Sequence, residues 1–149
     1  MQAPGEVAIA LFYHDAVCDT RTRDNEEQST ALAAEVLLEY CRMDRNTVER
    51  IRALILATRH EAVPSWADAE LLFDIDLAIL GADEMRFDEY ERQIRVEYSW
   101  VAPEDFRKGR SAVLRGFLAR NAIYATGPFR GGPESAARRN LARSLAALA

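Results

Sequence analysis

Apolar residues recur every three or four positions along most of this chain, which is the period of an α-helix with one buried face. The pattern predicts seven helices, which cover residues 6–17, 25–41, 46–60, 65–81, 83–100, 103 to at least 117, and 134–148. A Gly- and Pro-rich stretch, residues 127–133, is predicted to form the main loop. Period-two alternation typical of strands is absent from the sequence. We therefore predict an all-α fold, a helical bundle of about seven helices in a single domain, residues 1–149.

Polar residues mark where several of these helices begin and end. Asp24 with Glu27, and Asn46 with Glu49, have the three-residue spacing of a capping box and predict two helix starts. Gly81 is predicted to end the fourth helix as a C′ residue.

The apolar stripes also predict which side chains form the core. On the first two helices we expect Val7, Leu11 and Phe12, then Leu37 and Tyr40, to face inward. The third helix continues this core with Val48, Ile51, Leu54 and Ile55.

Composition limits the classes of function. The formal net charge of −5 argues against a general nucleic-acid binder, which needs an excess of Lys and Arg. There is no long uninterrupted apolar run and no signal-peptide pattern, so we expect neither a membrane span nor export. Two cysteines, Cys18 and Cys41, have no metal-site spacing and favour a reducing cytoplasm. Lys108 is the single lysine, so the positive charge is mainly arginine, which suits phosphate or carboxylate ligands or else simply covers solvated helix faces.

Carboxylates and a histidine interrupt two segments that are otherwise apolar. His14 and Asp15 lie in the first helical run, and Asp74 and Asp76 lie in the fourth. Burying a charge without a partner is costly, so something cationic should meet these groups. A neutral imidazole and carboxylate oxygens together suit a divalent cation, and we predict a shared metal site with either Asp76 or Asp74 as the distant ligand. His60 could add an imidazole or contact a substrate.

Each residue also has a structural interpretation. A single helical histidine is commonly a satisfied polar group, and an Asp at a helix end is commonly a cap. Asp74 and Asp76 could each pair with an arginine instead of a metal.

The residues also resemble a known family. The chain resembles the HD superfamily of metal-dependent phosphohydrolases, in which a histidine is followed at once by an aspartate and a second aspartate lies far along a helical domain. More closely, the chain resembles a bacterial family of small HD phosphohydrolases with no assigned substrate. The phrases that carry this likeness span nearly the whole chain: FYHDAVCD, DNEEQSTALA, LILATRH, DIDLAILG, IRVEYSWV, FRKGRSAVLRGFLAR and IYAT.

The resemblance implies roles for particular residues. His14 and Asp15 match the HD pair, and Asp76 matches the closing aspartate, with Asp74 as the fallback. His60 matches a histidine near the pocket. Glu26 is the candidate that would orient or deprotonate the attacking water. Its alternative role is structural, as a carboxylate in the first turn that interacts favourably with the helix dipole.

The implied activity is hydrolysis of a small phosphoester, such as a nucleotide, by metal-activated water. The metal would be Mn, Fe, Co, Ni, Zn or Mg. Asp15 would help orient the nucleophile, and Arg59, Arg95 and Arg110 could hold phosphate charge. The alternatives are a metal- or nucleotide-binding module without turnover, an inactive truncated relative, and a purely structural helical domain.

One feature departs from the family pattern. That pattern opens with a histidine on a helix before the HD pair, and no histidine precedes His14 in this chain. The resemblance therefore implies that the family's first helix is missing, which would leave three or fewer protein ligands. The loss of that helix would also expose apolar surface and favour homo-oligomers.

Overall fold

The structure is a computed structural model that describes residues 2–59 and 64–149. This part of the chain contains eight α-helices and no strand, which confirms the all-α prediction. The helices are α1 (Pro4–Tyr13), α2 (Asn25–Glu35), α3 (Arg45–Ala57), α4 (Ala67–Asp76), α5 (Glu84–Glu97), α6 (Pro103–Leu118), α7 (Gly127–Gly131) and α8 (Pro133–Ala147). A π-helical turn, Val36–Tyr40, continues α2, and a 3-10 segment, Leu77–Gly81, follows α4. None of these helices combines the length and hydropathy needed to cross a lipid bilayer.

The chain forms two compact units, Met1–Asp76 and Leu77–Ala149. The first unit contains α1 to α4, and its core is built where α1 and α2 pack on α3 and where α1 packs on α4. All four predicted core residues of the third helix are buried there: Val48, Ile51, Leu54 and Ile55.

The second unit contains α5 to α8, and its core lies where α8 packs on the 3-10 segment and on α6. Its fully buried side chains include Phe87, Leu114, Ile123, Tyr124 and Leu141. The single-domain organisation expected from the sequence stays a prediction.

The residues that cap the helices differ in part from the predicted ones. The third helix begins at Arg45 because the Asp44 carboxylate accepts a hydrogen bond from Thr47 N at 3.0 Å, so Asn46 is not the cap. Asp24 does precede α2, but its side chain makes no capping hydrogen bond. The predicted loop over residues 127–133 contains α7, which starts with Pro128 in its first turn.

Two predicted core aromatics are on the surface. Phe12 is 78% exposed and Tyr40 is 76% exposed, so both predictions were wrong. Phe12 lies within α1, two residues after the fully buried Ala10, which places it on the opposite side of that helix. Tyr40 lies in the π-helical turn that ends the second helix, so the straight-helix stripe does not apply to it.

Gly81 has a role other than the one predicted. Its φ is not positive, so it is not a left-handed C′ residue. A methyl group at this position would lie 2.6 Å from Pro133 Cβ and 2.9 Å from the Tyr124 hydroxyl. Gly81 therefore allows the start of α8 to pack closely on the 3-10 segment.

Candidate metal centre

The end of α1 places His14 and Asp15 at a turn. His14 caps the helix in a helical conformation, and its backbone N–H donates to Ala10 O at 2.9 Å. Ala16 N then donates to Tyr13 O at 3.0 Å, which closes a turn instead of continuing the helix. The two neighbouring side chains can therefore converge, although adjacent residues on a regular helix diverge by about 100°.

The imidazole of His14 has a different partner on each nitrogen. Nδ1 lies 2.6 Å from Leu11 O, and because a carbonyl oxygen only accepts, Nδ1 carries a proton and donates. Nε2 lies 3.2 Å from Asp15 Oδ2 and 3.2 Å from Asp76 Oδ1. This orientation is typical of a metal-ligating histidine, whose other ring nitrogen donates to a backbone carbonyl.

The three side chains fit a divalent metal ion. One ligand atom from each of His14, Asp15 and Asp76 lies within 4.8 Å of the other two. Ligands about 2.1 Å from a common ion are separated by about 3.0 to 3.4 Å at octahedral or tetrahedral angles, which matches the two 3.2 Å separations. The Asp15 side chain is 73% exposed and can rotate toward the others. One imidazole and two carboxylates form a donor set that suits several transition metals and leaves coordination positions open.

The carboxylates strongly favour protonated His14 when no metal is present. Hydrogen bonds to Asp15, then to Asp76, together with the negative charge of Asp76, raise the pKa of His14 to about 10, against the opposing effect of burial. A metal ion would have to displace this proton from Nε2, so metal binding and protonation compete for one atom.

Asp76 reaches His14 because α1 and α4 run side by side in the same direction. At the start of α4, the buried Asp68 carboxylate accepts hydrogen bonds from Gln2 N at 2.7 Å and Ala3 N at 2.9 Å. These two N–H groups lower the pKa of Asp68. α4 is thus held to the start of α1 by Asp68 and to its end by Asp76.

The sequence interpretation missed Asp68 and Ser29. Ser29 Oγ accepts a hydrogen bond from Val17 N at 3.0 Å and fixes the chain just beyond the HD pair. Asp68 acts on residues more than 60 positions away, so no local spacing reveals it. The sequence gives little indication of the role of Ser29, which is one of several polar residues at the start of α2. In the structure its side chain is fully buried.

Asp74, the fallback ligand, is not part of this cluster. It is fully buried on α4, two residues before Asp76, so its side chain leaves the helix in a different direction. Of the two aspartates, the one brought to His14 is Asp76.

The other predicted site residues of the first unit lie near helix ends. Glu26 is in the first turn of α2, and its backbone carbonyl accepts a hydrogen bond from Thr30 Oγ1 at 2.5 Å. Arg59 follows the end of α3 and forms an ion pair with Glu27. His60 lies outside the described residues.

The two remaining arginines belong to the second unit and have partners there. Arg95 donates from Nη1 to Tyr98 O at 2.6 Å and from Nη2 to Val101 O at 3.3 Å. Arg110 forms a largely buried ion pair with Glu91. The assignment of these side chains to a substrate stays a prediction.

Comparisons with protein-family models, with curated proteins and with solved structures find no match to this chain.

Proposed function

We propose that this protein binds a divalent metal ion through His14, Asp15 and Asp76 and hydrolyses a small phosphoester. The observation that carries the proposal is the convergence of three ligand atoms, with His14 Nε2 3.2 Å from a carboxylate oxygen of each aspartate. The resemblance to the HD superfamily supports the choice of phosphoester hydrolysis over other metal chemistry.

The bound ion would supply Lewis acidity and lower the pKa of water at neutral pH. His14 contributes a neutral nitrogen, because the Leu11 carbonyl holds the proton on Nδ1. Asp76 contributes an oxygen from a side chain that is 20% exposed, so this ligand is fixed by its surroundings. Asp15, which is largely open to solvent, is the group able to orient an attacking water.

Glu26 and Arg59 are proposed to assist. Glu26 is the general-base candidate from the first turn of α2. Arg59 would bind a phosphate oxygen after exchanging its present partner, the half-exposed carboxylate of Glu27. A surface ion pair of this kind is weak enough to be replaced by a substrate.

A test compares phosphate release by the wild type with that by Asp15→Ala and a matched control, Asp24→Ala. Asp24 is an exposed acidic residue of the same unit whose side chain makes no capping hydrogen bond. The substrates would be p-nitrophenyl phosphate and nucleoside monophosphates, each with Mn, Fe, Co, Ni, Zn and Mg. We expect Asp15→Ala to lose at least about a thousandfold in rate and the control to keep wild-type activity. Equal activity in Asp15→Ala would overturn the assignment.

The second candidate function is metal binding without turnover. The cluster of three ligand atoms favours it, because His14, Asp15 and Asp76 can hold an ion without any phosphate-binding group. It predicts that the wild type retains metal, that Asp15→Ala and Asp76→Ala lose it, and that none of the substrates is hydrolysed.

A further inference from the structure

A cleft in the second unit has features of a separate ligand site. It lies between α5, α6 and the end of α8 and has a volume of about 330 Å³. This volume is at the small end of the range for small-molecule sites. Its walls are mainly apolar and include Pro103, Phe106, Ala147 and Leu148.

Arg95 places a fixed positive charge on the wall of this cleft. Its guanidinium lies over the Phe106 ring, 4.7 Å from the centroid, and its two hydrogen bonds go to the uncharged carbonyls of Tyr98 and Val101. Those bonds use two of the five N–H groups of a guanidinium, so three remain available. The charge is therefore held in place without being neutralised.

Two further arginines, Arg92 and Arg107, line the cleft. Both are exposed, and the side chain of neither forms a hydrogen bond or ion pair with any residue in the described ranges. The acidic residue in the lining is Glu91, whose charge is already matched by Arg110 and which accepts a hydrogen bond from Ser144 Oγ at 2.9 Å. The uncompensated charge at the cleft is thus positive.

The charge of the whole unit agrees with this local picture. Residues 77–149 carry 12 Arg and Lys against 9 Asp and Glu, a net charge of +3, whereas residues 1–76 carry 7 Arg against 15 Asp and Glu, a net charge of −8. The second unit would attract anions even though the chain as a whole is acidic.

We propose that this cleft binds a small amphipathic anion, a carboxylate or phosphate headgroup on a compact apolar body. The headgroup would accept hydrogen bonds from Arg92, Arg95 and Arg107, since guanidinium groups bind planar carboxylates and phosphates in pairs of bonds. The apolar body would pack on Phe106 and Leu148. The site is independent of the metal site, and neither proposal depends on the other.

The test measures binding of octanoate, octyl phosphate and octanol to the full-length protein by isothermal titration calorimetry and by ¹H–¹⁵N NMR. We expect at least one of the two anions to bind at least about tenfold more tightly than octanol, and backbone signals of residues 92–95, 104–107 and 144–148 to shift. Tighter binding of octanoate would identify a carboxylate headgroup, and tighter binding of octyl phosphate would identify a phosphate. Octanol binding as tightly as both anions, no binding of either anion, or shifts confined to other residues would overturn the proposal.

A pair of double variants tests the arginines directly. Arg92→Gln with Arg107→Gln removes two charges at the cleft, whereas Arg86→Gln with Arg139→Gln removes two exposed charges of the same unit that do not line it. We expect the first pair to weaken binding of the preferred anion by at least about tenfold and the control pair to change it by less than about twofold. If both double variants weakened anion binding equally, the effect would be one of general charge, and the proposed site would be overturned.

Discussion

In the second unit, the Glu134 carboxylate accepts hydrogen bonds from Ile123 N and Tyr124 N at 3.0 to 3.2 Å and from Arg138 Nε at 2.8 Å. In the first unit, Asp15 and Asp76 both face one nitrogen of His14. The carboxylate of Glu134 is surrounded by donors that belong to the fold, so its role is structural. The two aspartates share one titratable donor, which a metal ion can replace, and this arrangement favours a functional role.

Asp68 shows that structural carboxylates are not confined to the second unit. It lies in the first unit with His14, Asp15 and Asp76, yet its carboxylate accepts hydrogen bonds from two backbone N–H groups, as that of Glu134 does. The useful distinction is therefore the type of partner that each carboxylate has. If the distinction is correct, removing the structural carboxylates should lower stability most, and removing Asp15 should lower function with little effect on stability.

The largest expected loss of stability is for Glu134→Ala. This change leaves the buried N–H groups of Ile123 and Tyr124 without an acceptor and should lower the unfolding free energy of the second unit by about 3 kcal/mol. Urea unfolding followed by Trp100 fluorescence in a Trp66→Phe background would measure it. Glu89→Ala, which removes a surface ion pair with Arg86, is the control and should cost less than about 1 kcal/mol.

Asp68→Ala should have the next largest effect. It removes the acceptor for the N–H groups of Gln2 and Ala3, just before α1, and should lower the unfolding free energy of the first unit by about 1 to 2 kcal/mol. Fluorescence of Trp66 in a Trp100→Phe background reports on this unit. Asp24→Ala, at a helix start without a side-chain cap, should change stability little, and an equal effect of both variants would contradict the role given to Asp68.

The metal-free protein should become less stable as the pH rises above about 6.5. The folded pKa of His14 is raised to about 10, so the native state binds a proton that the unfolded chain has already released. The stabilisation is complete below about pH 6.5 and is lost as the pH rises through about 10. Urea unfolding in EDTA across this range tests it, with His14→Gln as the control. A wild-type curve with the same pH dependence as that of His14→Gln would contradict the ion-pair network.

Asp15→Ala should have the smallest effect on stability. Its side chain is 73% exposed, so solvent screens its hydrogen bond to His14, and the unfolding free energy at pH 7 should fall by less than about 1 kcal/mol. A loss as large as that of Asp68→Ala would mean that Asp15 is a structural residue like the others.

Much of the fold could be predicted from the sequence because helical periodicity is a local signal. The buried stripe of α3 and the start of α6 at Pro103 both agree with the structure. Phe12 was misplaced because it lies about 200° around α1 from the buried Ala10, a position that regular helix geometry puts on the surface. Tyr40 was misplaced because the second helix ends in a π-helical turn, which residue spacing does not reveal. The close contact of Gly81 with Pro133 depends on tertiary packing and is also absent from the local pattern.

The candidate site could be predicted only in part. The pairing of His14–Asp15 with Asp76 followed from charged groups in apolar runs, and the structure brings these residues together. The choice between Asp74 and Asp76 required the orientation of α4 against α1. Asp68, which sets that orientation, acts between residues distant in sequence and has no spacing signal of its own.

The most direct test of the metal site is elemental analysis of the purified, tag-free protein beside Asp15→Ala, Asp76→Ala and Asp24→Ala. Each protein would be measured as purified and again after incubation with each candidate metal and desalting. We predict about one equivalent of a divalent metal in the wild type and in Asp24→Ala, and nearly complete loss in the other two variants while all remain folded by circular dichroism. Absence of bound metal from the wild type under every condition, or equal retention in all four proteins, would contradict the site formed by His14, Asp15 and Asp76.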